Sequence, residues 1–481
     1  MARRGFEAFL AVALATGFAG AAQAQSAAKP GAAVPSPTGA YPQAEAQAVE
    51  LLKRGIGFRT VIGEGNQTFE YATYLKGVLV EAGFPAEDII VERVGDTAFL
   101  VARYRGTGKA KNGAKPIYIS GHMDVVEAKP ADWKRDPFTA VIENGYIWGR
   151  GASDMKYDLS TMVATLIQLR REGFKPGRDI LLLLSGDEET TMKTTAILAE
   201  RYHDAELLLN IDGGGGEYDE SGKPMIFGVQ GAEKTYADFE LTFTNPGGHS
   251  SAPRKANAIY SLARALERIG AYEFPAQINE ITKASFLAAA DNADPKTADA
   301  MRRYAANPGD KEALATLRAD PGYVGQTGTT CVATMVNAGH APNALPQRAV
   351  ATVNCRIFPG TPVADVQAKL KEVVNDPELS IREIESGAVA SDASPLRPDL
   401  MKLIAKTVHA RFPGVPIVPS MSAGATDSMH FRARGVQSYG ISPIFMKSSD
   451  AFAHGLNERT PLSEIAPSIV FYRTVLMELA K

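Results

Sequence analysis

An apolar run in the sequence ends in three consecutive acids. Residues 181–190, "LLLLSGDEET", place Asp187, Glu188 and Glu189 after four leucines and a Ser-Gly pair. Carboxylates held close together repel one another, so some must keep a proton unless cations neutralise them. The stretch therefore predicts a site where metal ions or acid–base chemistry make use of the acids.

Other side chains that can bind metal follow further strand-like runs or lie in nearby loops. They are His122, Asp124, Asp154, Asp212 and His454. Proteins with an open α/β sheet bind their ligands beyond the carboxyl ends of the strands, which is where these side chains can meet. Imidazole and carboxylate are ligands that suit Zn²⁺. Because two Zn²⁺ ions would balance three ligand carboxylates and a bridging hydroxide, we expect two metal ions rather than one.

The segments that carry these residues alternate between strand and helix patterns. Apolar runs in "KPIYISGHMDVV", "RDILLLLSGDEE" and "AELLLNIDGGGG" predict strands, whereas "MKYDLSTMVATLIQLRREGF" and "TTAILAERY" predict helices. Strands that are apolar throughout are typical of a sheet covered on both faces. The predicted fold class is therefore α/β, with a mainly parallel sheet and helices on both faces.

The pattern changes near residue 234. Up to about residue 387 the order is strand, helix, two strands, helix, strand, which is the split βαβ arrangement of a small α+β domain. We expect this domain, residues 234–387, to be inserted between two parts of a catalytic domain, residues 41–233 and 388–481. Within the inserted domain, residues 271–326 form a polar, helix-favouring stretch that the pattern does not place.

The amino terminus differs from the rest of the chain. Arg3 and Arg4 precede an apolar stretch and the small-residue triplet at residues 22–24, "AQA", which is typical of a cleaved secretory signal peptide. The alternative is an uncleaved anchor, but the stretch is shorter than the roughly 20 apolar residues of a spanning helix. We therefore predict a signal peptide over residues 1–24 and a flexible linker over residues 25–40. The mature protein is then periplasmic or secreted, without a stable membrane span.

Charge and cysteine content narrow the choice of partners and compartment. The formal net charge is −3, without long basic blocks, so neither nucleic acid nor an anionic membrane surface is an expected partner. The two cysteines, Cys331 and Cys355, lie at equal sequence distances from Asn343 in two strand-like runs. A hairpin register would bring them together as a disulfide in an oxidising compartment, and two buried thiols are the alternative.

Six sequence blocks together resemble one enzyme family. They are "SGHMDVV", "GRGASDMK", "SGDEET", "NIDGGGG", "NPGGHSSAP" and "AHGLNER". In this order they are similar to the signature blocks of the two-zinc metallopeptidase family that includes carboxypeptidase S, glutamate carboxypeptidase, aminoacylase, carnosine dipeptidases and succinyl-diaminopimelate desuccinylase. The similarity covers nearly all of the mature chain and is greatest to the carboxypeptidase S branch. It implies that the inserted domain is a lid or dimerisation domain, through which a homodimer can form.

The resemblance also implies a role for each residue near the metals. The implied ligands are the bridging Asp154, His122 and Asp212 in one site, and Glu189 and His454 in the other. The metals would be two Zn²⁺ ions, for which Co²⁺ or Mn²⁺ can substitute. Glu188 would be the general base, and Asp124 would orient the imidazole of His122. Asp187 is then left to hydrogen-bond the turn.

Further residues are implied to contact the substrate. They are His249, Asn343, Arg356, Gly424 and Thr426. His249 matches the family histidine that polarises the substrate carbonyl and stabilises the oxyanion. Arg356 suits a terminal carboxylate, which an arginine can bind through two parallel hydrogen bonds. Gly424, Thr426 and Asp427 lie in "SAGATDS", which resembles another substrate-side loop.

The resulting hypothesis is a zinc-dependent hydrolase that cleaves the amide next to a free carboxylate in a small peptide, as a carboxypeptidase or dipeptidase. An N-acyl-amino-acid deacylase would use the same site, so this alternative stays open. A serine hydrolase of the α/β type is excluded, because no G-x-S-x-G pentapeptide occurs. A non-catalytic binding protein would be expected to lack the base or a ligand, whereas Glu188 and all the implied ligands are present.

Overall fold

The computed structural model describes residues 39–109 and 114–481. The predicted signal peptide, residues 1–24, and the predicted linker up to residue 38 lie outside the described residues. Within the described part of the chain, no helix is both long and apolar enough to cross a membrane.

Helices and strands alternate along most of the chain. The α-helices of the described residues are α1 (Pro42–Ile56), α2 (Thr68–Glu81), α3 (Lys156–Arg171), α4 (Lys193–Arg201), α5 (Ala258–Ala271), α6 (Glu280–Ala289), α7 (Pro295–Ala306), α8 (Lys311–Arg318), α9 (Pro321–Val324), α10 (Val363–Val374), α11 (Pro398–His409), α12 (Ser428–Ala433) and α13 (Ile465–Leu479). The strands are β1 (Ile89–Val94), β2 (Thr97–Tyr104), β3 (Ile117–His122), β4 (Val141–Glu143), β5 (Tyr146–Trp148), β6 (Ile180–Ser185), β7 (Leu207–Asn210), β8 (Gly215–Tyr218), β9 (Pro224–Glu233), β10 (Thr235–Thr244), β11 (Gly248–His249), β12 (Thr330–Ala338), β13 (Ala344–Leu345), β14 (Arg348–Ile357), β15 (Ser380–Ile384), β16 (Ile417–Ser422), β17 (Ser438–Gly440), β18 (Phe445–Lys447) and β19 (Arg459–Pro461).

The chain divides into two compact units. The first contains the described residues of Met1–Gly231, together with Ser394–Ser420 and Thr426–Lys481. The second contains Ala232–Ala393 and Met421–Ala425. The residues predicted to form an inserted domain, 234–387, lie in the second unit, and the lid and dimerisation roles of that domain stay predictions.

The first unit is built on a large sheet of ten strands. Its central strands run in the order β6, β3, β7 and β17 and are parallel neighbours. Towards one edge, β2 pairs antiparallel with β6, and β1 pairs antiparallel with β2. On the other side of the parallel strands, β9 pairs antiparallel with β17. The predicted α/β class with a mainly parallel sheet is confirmed, with antiparallel strands added outside the parallel centre.

The leucines of β6 show why this strand is apolar throughout. Leu182 and Leu184 lie in one cluster of buried side chains with residues of α1, α3 and α13. Leu181 and Leu183 lie in a different cluster, with residues of α4 and α12. Because successive strand residues point to opposite faces, both faces of β6 are covered by helices. Polar side chains are therefore placed where the strand ends.

The second unit contains a four-stranded antiparallel sheet in the order β12-β14-β10-β15. Helices α5 and α10 share one buried apolar cluster with this sheet. The chain order β10, α5, β12, β14, α10, β15 is the predicted split βαβ order. Residues 271–326, which the sequence pattern did not place, contain the helices α6 to α9, and these have a buried cluster of their own.

A disulfide joins β12 to β14. Cys331 and Cys355 are register partners in this antiparallel pair, and their sulfur atoms are bonded to each other. Of the two alternatives that the sequence left open, the structure therefore has the disulfide rather than two thiols. The bond fastens the edge strand of the sheet to the strand that carries Arg356, the residue after Cys355.

Candidate metal centre

The predicted ligands of the first unit lie where its strands and helices begin or end. His122 is the last residue of β3, Asp154 lies in the turn before α3, and Asp212 follows β7. His454 lies between β18 and β19 with a left-handed backbone conformation, φ 60°. A non-glycine residue in this conformation is uncommon and is found disproportionately at functional sites.

The position of the acid pair corrects one prediction. Strand β6 ends at Ser185, and Glu188 and Glu189 lie in a turn beyond it, so the prediction that they end the strand is wrong. Asp124 fixes the turn, since its Oδ1 accepts the N–H of Glu188 at 3.1 Å and its Oδ2 accepts the N–H of Glu189 at 3.0 Å.

Asp154 lies between two histidines. Its Oδ1 is 3.2 Å from Nε2 of His122, and its Oδ2 is 3.2 Å from Nε2 of His454. Nε2 of His454 also lies 2.9 Å from Oε1 of Glu189. The peptide bond between Asp154 and Met155 is cis. One carboxylate therefore faces two imidazoles with its two oxygens, which is the arrangement expected of a bridging ligand.

Two overlapping groups of side chains have the composition of metal sites. In one, ligand atoms of His122, Glu188 and Asp212 all lie within 4.8 Å of one another; in the other, this holds for His122, Asp154 and Glu189. Nε2 of His122 is 3.8 Å from Oδ2 of Asp212. Nitrogen and oxygen donors that converge in this way fit divalent cations such as Zn²⁺.

The pKa values of the site's side chains are shifted by burial and by the charged groups around them. Against the effect of burial, the carboxylates of Asp212, Asp124 and Asp154 raise the pKa of His122 well above its usual value. Hydrogen bonds with Asp154 and Glu189 raise the pKa of His454 to about 10. Burial raises the pKa of Glu189 to about 7. The pKa values of the two histidines are raised because several carboxylates face each imidazole, and divalent cations would neutralise the same carboxylates.

The contact between Asp124 and His122 differs in part from the prediction. Nδ1 of His122 lies 3.0 Å from the main-chain oxygen of Asp124 and 3.5 Å from its carboxylate Oδ1. The carbonyl is thus the closer partner, and an Nδ1–H that donates to it leaves Nε2 directed at Asp154 and Asp212. Asp124 therefore contacts the histidine with its main chain while its carboxylate holds the acid turn.

The first acid of the triplet has the structural role predicted for it. Asp187 is buried, and its Oδ2 accepts the N–H of Lys193 at 2.8 Å while its Oδ1 accepts the N–H of Thr194 at 2.9 Å. The hydroxyls of Thr191 and Thr194 also donate to this carboxylate. The prediction that Asp187 hydrogen-bonds the turn is confirmed, and the "TTMKTT" stretch supplies its donors.

Hydrogen bonds through Asn210 connect Asp212 to the segment that carries Thr426. The N–H of Asp212 donates to Oδ1 of Asn210 at 2.8 Å. The side-chain amide of Asn210 in turn donates to the hydroxyls of Thr426 at 3.0 Å and Ser428 at 2.9 Å. Thr426 is buried. Its hydroxyl is thus part of a network that reaches a predicted metal ligand.

In the second unit, His249 is exposed and is held by its own loop. The N–H of Ser251 donates to Nδ1 of His249 at 3.2 Å, and the Ser251 hydroxyl lies 2.7 Å from the same nitrogen. Strands β11 and β13 pair His249 with Ala344, which brings the neighbouring Asn343 to the same short ladder. The main-chain oxygen of Asn343 accepts the N–H of Ser250 at 3.0 Å. His249 and Asn343, which are 94 positions apart in the sequence, are therefore held close together by this pairing.

Arg356 and Gly424 also lie near each other in the second unit. Nη1 of Arg356 donates to the main-chain oxygen of Ala423 at 3.0 Å, and its guanidinium lies 4.7 Å from the ring centroid of Tyr236. The N–H of Gly424 donates to the Ser422 hydroxyl at 2.9 Å. The arginine thus holds the loop that contains Gly424.

Two further acids of the first unit are buried, of which Asp427 belongs to the "SAGATDS" loop that resembles a substrate-side loop, whereas Glu458 was missed at the level of sequence. Asp427 accepts hydrogen bonds from the hydroxyls of Ser185, Ser120 and Thr195, and burial raises its pKa to about 7. Glu458 is also buried and hydrogen-bonded to the segment before α3. Glu458 lies inside the block "AHGLNER", and an acid within a signature block was the available signal.

Comparison with known proteins gives a consistent result. Residues 118–478 match the sequence profile of peptidase family M20/M25/M40. The chain is 27% identical over 399 residues to the probable carboxypeptidase S-like 2 of Dictyostelium discoideum, covering 79% of this chain and 74% of the relative. It is 28% identical over 445 residues to the N-fatty-acyl-amino acid synthase/hydrolase PM20D1 of Xenopus tropicalis, covering 89% of this chain and 84% of the relative.

A solved structure shows the same fold. The M20 family metallo-carboxypeptidase Sso-CP2 of Sulfolobus solfataricus matches with a TM-score of 0.68, over 90% of this chain and 98% of that chain. The two sequences are 21% identical. The similarity therefore concerns the arrangement of the elements.

Proposed function

The chain belongs to peptidase family M20/M25/M40, and on that premise we propose that it is a two-zinc hydrolase of the amide bond next to a free carboxylate. Its substrates are small peptides, which it cleaves as a carboxypeptidase or dipeptidase. The observation that carries the proposal is the position of Asp154, whose two carboxylate oxygens each lie 3.2 Å from Nε2 of a different histidine.

Two groups of side chains would hold the metal ions. They are His122 and Asp212 for one ion, Glu189 and His454 for the other, and Asp154 for both. Imidazole and carboxylate donors in this number suit Zn²⁺, with Co²⁺ or Mn²⁺ as substitutes. When bound, the ions would polarise the substrate carbonyl and lower the pKa of the attacking water.

Glu188 is the proposed general base. Its carboxylate lies in the same group as His122 and Asp212, and the residue is 8% exposed. Burial raises the pKa of Glu188 well above its usual value, which suits a side chain that must accept a proton and return it. Glu188 takes a proton from the attacking water and delivers it to the departing amine, while Asp124 holds the main chain of the turn.

The second unit supplies most of the proposed substrate contacts. Because Nδ1 of His249 accepts the N–H of Ser251, neutral His249 carries its proton on Nε2. Nε2–H can then donate to the oxyanion that forms at the scissile carbonyl. Arg356 is proposed to bind the free carboxylate, and Asn343 to grip the substrate beside His249. The remaining proposed contacts are Gly424 and Thr426.

An N-acyl-amino-acid deacylase is the second candidate function. It is favoured by the similarity to N-fatty-acyl-amino acid synthase/hydrolase PM20D1, which extends over 89% of this chain. The same ligands and the same base would serve, since the reaction is again hydrolysis of an amide next to a free carboxylate. The two functions differ in the group on the other side of the amide.

Amino-acid release measured by mass spectrometry distinguishes these functions. The purified protein is given short peptides, dipeptides and N-acyl amino acids, each with a free or an amidated carboxyl terminus. Release from free-carboxylate peptides supports the peptidase and a carboxylate-binding role for Arg356. Release mainly from N-acyl amino acids supports the deacylase, and release from amidated substrates alone contradicts both.

We also propose that the protein acts in the periplasm or outside the cell. The sequence of residues 1–24 has the pattern of a signal peptide, and the disulfide between Cys331 and Cys355 is of the kind that persists in oxidising compartments. Mass spectrometry of the protein from its natural source tests this. A mature amino terminus near residue 25 is expected, and an intact amino terminus in the cytoplasm would contradict the proposal.

A homodimer through the second unit is a further part of the proposal. Strand β12 forms one edge of the four-stranded sheet, and its residues Val332, Met335 and Val336 are exposed by 60%, 68% and 61%. An apolar sheet edge is a ready template for pairing with the same edge of a second copy. Sedimentation should show a dimer that Met335→Lys converts to a monomer. A wild-type monomer at micromolar concentration would contradict it.

A further inference from the structure

Two segments of the first unit, from distant parts of the sequence, carry proposed metal ligands and are joined mainly through the side chain of Glu458. The segment before α3 carries Asp154, and the segment before β19 carries His454. Glu458, four residues after His454, is 0% exposed. Its carboxylate accepts five hydrogen bonds, all from residues 150–154 of the other segment.

Each oxygen of Glu458 has its own donors. Oε1 accepts the N–H of Ser153 at 2.7 Å, the hydroxyl of Ser153 at 2.9 Å and the N–H of Asp154 at 3.0 Å. Oε2 accepts Nη1 of Arg150 at 2.8 Å and the N–H of Gly151 at 3.0 Å. The carboxylate is thus bonded directly to the main chain of the residue whose side chain faces both histidines.

The two segments make further hydrogen bonds, and each segment contributes donors to them. Nη2 of Arg150 donates to the main-chain oxygen of His454 at 3.3 Å, and the N–H of Gly149 donates to the main-chain oxygen of Glu458 at 3.0 Å. The hydroxyl of Thr460 donates to the main-chain oxygen of Ala152 at 2.6 Å. Arg150 and Glu458 therefore link the main chains at Asp154 and His454 through one buried network of hydrogen bonds.

Another buried acid of the same unit shows what is particular to Glu458. Glu464 is also almost fully buried and pairs with Arg411, whose Nη1 and Nη2 donate to it at 2.6 and 2.8 Å. Its other donors are the Tyr218 hydroxyl and the N–H of Phe445. Glu464 thus joins packed elements through a buried ion pair, and none of these donors belongs to a proposed metal ligand.

We propose that Glu458, together with Arg150, positions Asp154 and His454 for the pair of metal ions. This inference rests on the proposed function, because it assigns Glu458 a role toward the metals named there. A buried carboxylate with this many donors is held in one place, and it holds the donors in turn. The carboxylate of Glu458 is fully buried and its hydrogen bonds go to residues 150–154, so we assign it as a positioning residue rather than a catalytic one.

The test measures metal affinity rather than activity. Zn²⁺ binding to metal-free protein is followed by competition with a chromophoric chelator for the wild type, Glu458→Gln and the matched control Glu464→Gln. Glutamine has the same shape as glutamate but turns one acceptor oxygen into a donor, which then faces N–H groups. We expect Glu458→Gln to weaken Zn²⁺ binding roughly 10- to 100-fold, as changes to groups that orient ligands do.

Thermal unfolding of the metal-free proteins separates this role from general destabilisation. Both variants lose a buried charge paired with an arginine, so both are expected to lower the unfolding temperature. Glu464→Gln should leave Zn²⁺ affinity unchanged. If Glu458→Gln binds Zn²⁺ as the wild type does, or if both variants lose affinity equally, the inference is overturned.

A second variant covers the case in which Glu458→Gln does not fold. Glu458→Asp keeps the charge opposite Arg150 but withdraws the carboxylate by one methylene from residues 151–154. We expect Zn²⁺ affinity between those of the wild type and the glutamine variant, and wild-type affinity would overturn the inference. If the wild type itself binds no Zn²⁺, the proposed function fails first, which is a different result from normal wild-type binding with an unaffected variant.

Discussion

The proposed metal ligands of the first unit and the proposed substrate contacts of the second unit are held in different ways. Most of the groups around Asp154 are buried or half-buried and bonded to one another, and Asp124, Asn210 and Glu458 fix the main chain beneath them. His249 is exposed on a two-residue ladder, and Asn343, which immediately precedes the partner strand, is exposed as well. Arg356 donates one hydrogen bond to the main-chain oxygen of Ala423.

This difference separates two requirements of a hydrolase. Groups that hold metal ions and transfer protons act best when their positions are fixed before the reaction, so that little reorganisation is needed. Groups that bind varied substrates can be exposed and adjustable, since the substrate itself completes their contacts. We infer that the first unit holds the metal ions and the general base, whereas the second unit supplies the donor to the oxyanion and most of the groups that bind the substrate.

The largest expected effect comes from the proposed base in the first unit. Glu188→Gln keeps the size of the side chain but cannot accept a proton, so kcat should fall roughly 10²- to 10⁴-fold. Zn²⁺ content should be unchanged, because Glu188 is not one of the proposed ligands. Exposed Glu200 on α4 gives a control, Glu200→Gln, that should keep wild-type kcat. Undiminished turnover by Glu188→Gln would remove this residue from the mechanism.

The next effect concerns the second unit. His249→Ala should lower kcat roughly 10²- to 10³-fold, because a donor to the oxyanion is lost. Its free energy of unfolding should hardly change, since the side chain is exposed. His340→Ala, at another exposed histidine of the same unit, is the control and should alter neither quantity. An equal loss of kcat in both variants would mean that His249 has no special role.

A third change should affect stability in the second unit and leave the metal centre intact. Replacing both Cys331 and Cys355 by alanine opens a loop with a sequence separation of 24, which should lower the free energy of unfolding by about 3 kcal/mol. Urea denaturation measures this loss. Zn²⁺ content per chain should stay as in the wild type. A parallel loss of zinc would contradict the assignment of the whole metal centre to the first unit.

The last effect is a dependence of stability on pH in the first unit. Asp158 accepts hydrogen bonds from the hydroxyls of Ser442 and Tyr472, and burial raises its pKa to about 7. The unfolded chain releases this proton near pH 4, whereas the folded chain keeps it until about pH 7. The wild type therefore loses stability as pH rises through this window.

The variant Asp158→Asn removes that dependence, because an amide does not ionise. Its free energy of unfolding, relative to the wild type, should rise between pH 4 and pH 8 by about 1.4 kcal/mol for each unit by which the pKa is raised. Urea denaturation at several pH values gives the difference. A difference that is the same at every pH would show that Asp158 is ionised in the folded protein.

The sequence predicted those features that leave a periodic or block-like pattern. Strands β3, β6 and β7 were predicted from apolar runs, and the polar residues beyond them do converge in the first unit. The equal distances of Cys331 and Cys355 from Asn343 predicted their pairing, which the structure reaches through a register shift between Ala333 and Met335. Such features follow from periodicity and spacing, which are properties of the sequence itself.

Contacts made through the main chain could not be predicted in this way. The turn that places Glu188 depends on its N–H bond to Asp124, and Glu458 binds mainly N–H groups of a segment about 300 residues earlier. Main-chain donors are the same for nearly every residue type, so they leave no signal in the sequence. The helices between residues 271 and 326 were also not placed, because they pack mainly on one another.

The most direct test of the account is to count the metal ions that each chain binds. Metal-free protein is titrated with Zn²⁺ and followed by native mass spectrometry, and amide hydrolysis is measured on the same samples. We predict two ions per chain in both the wild type and Glu188→Gln, with hydrolysis by the wild type alone. Fewer than two ions per chain in the fully active wild type, or hydrolysis by the metal-free protein, would contradict the two-metal site built around Asp154.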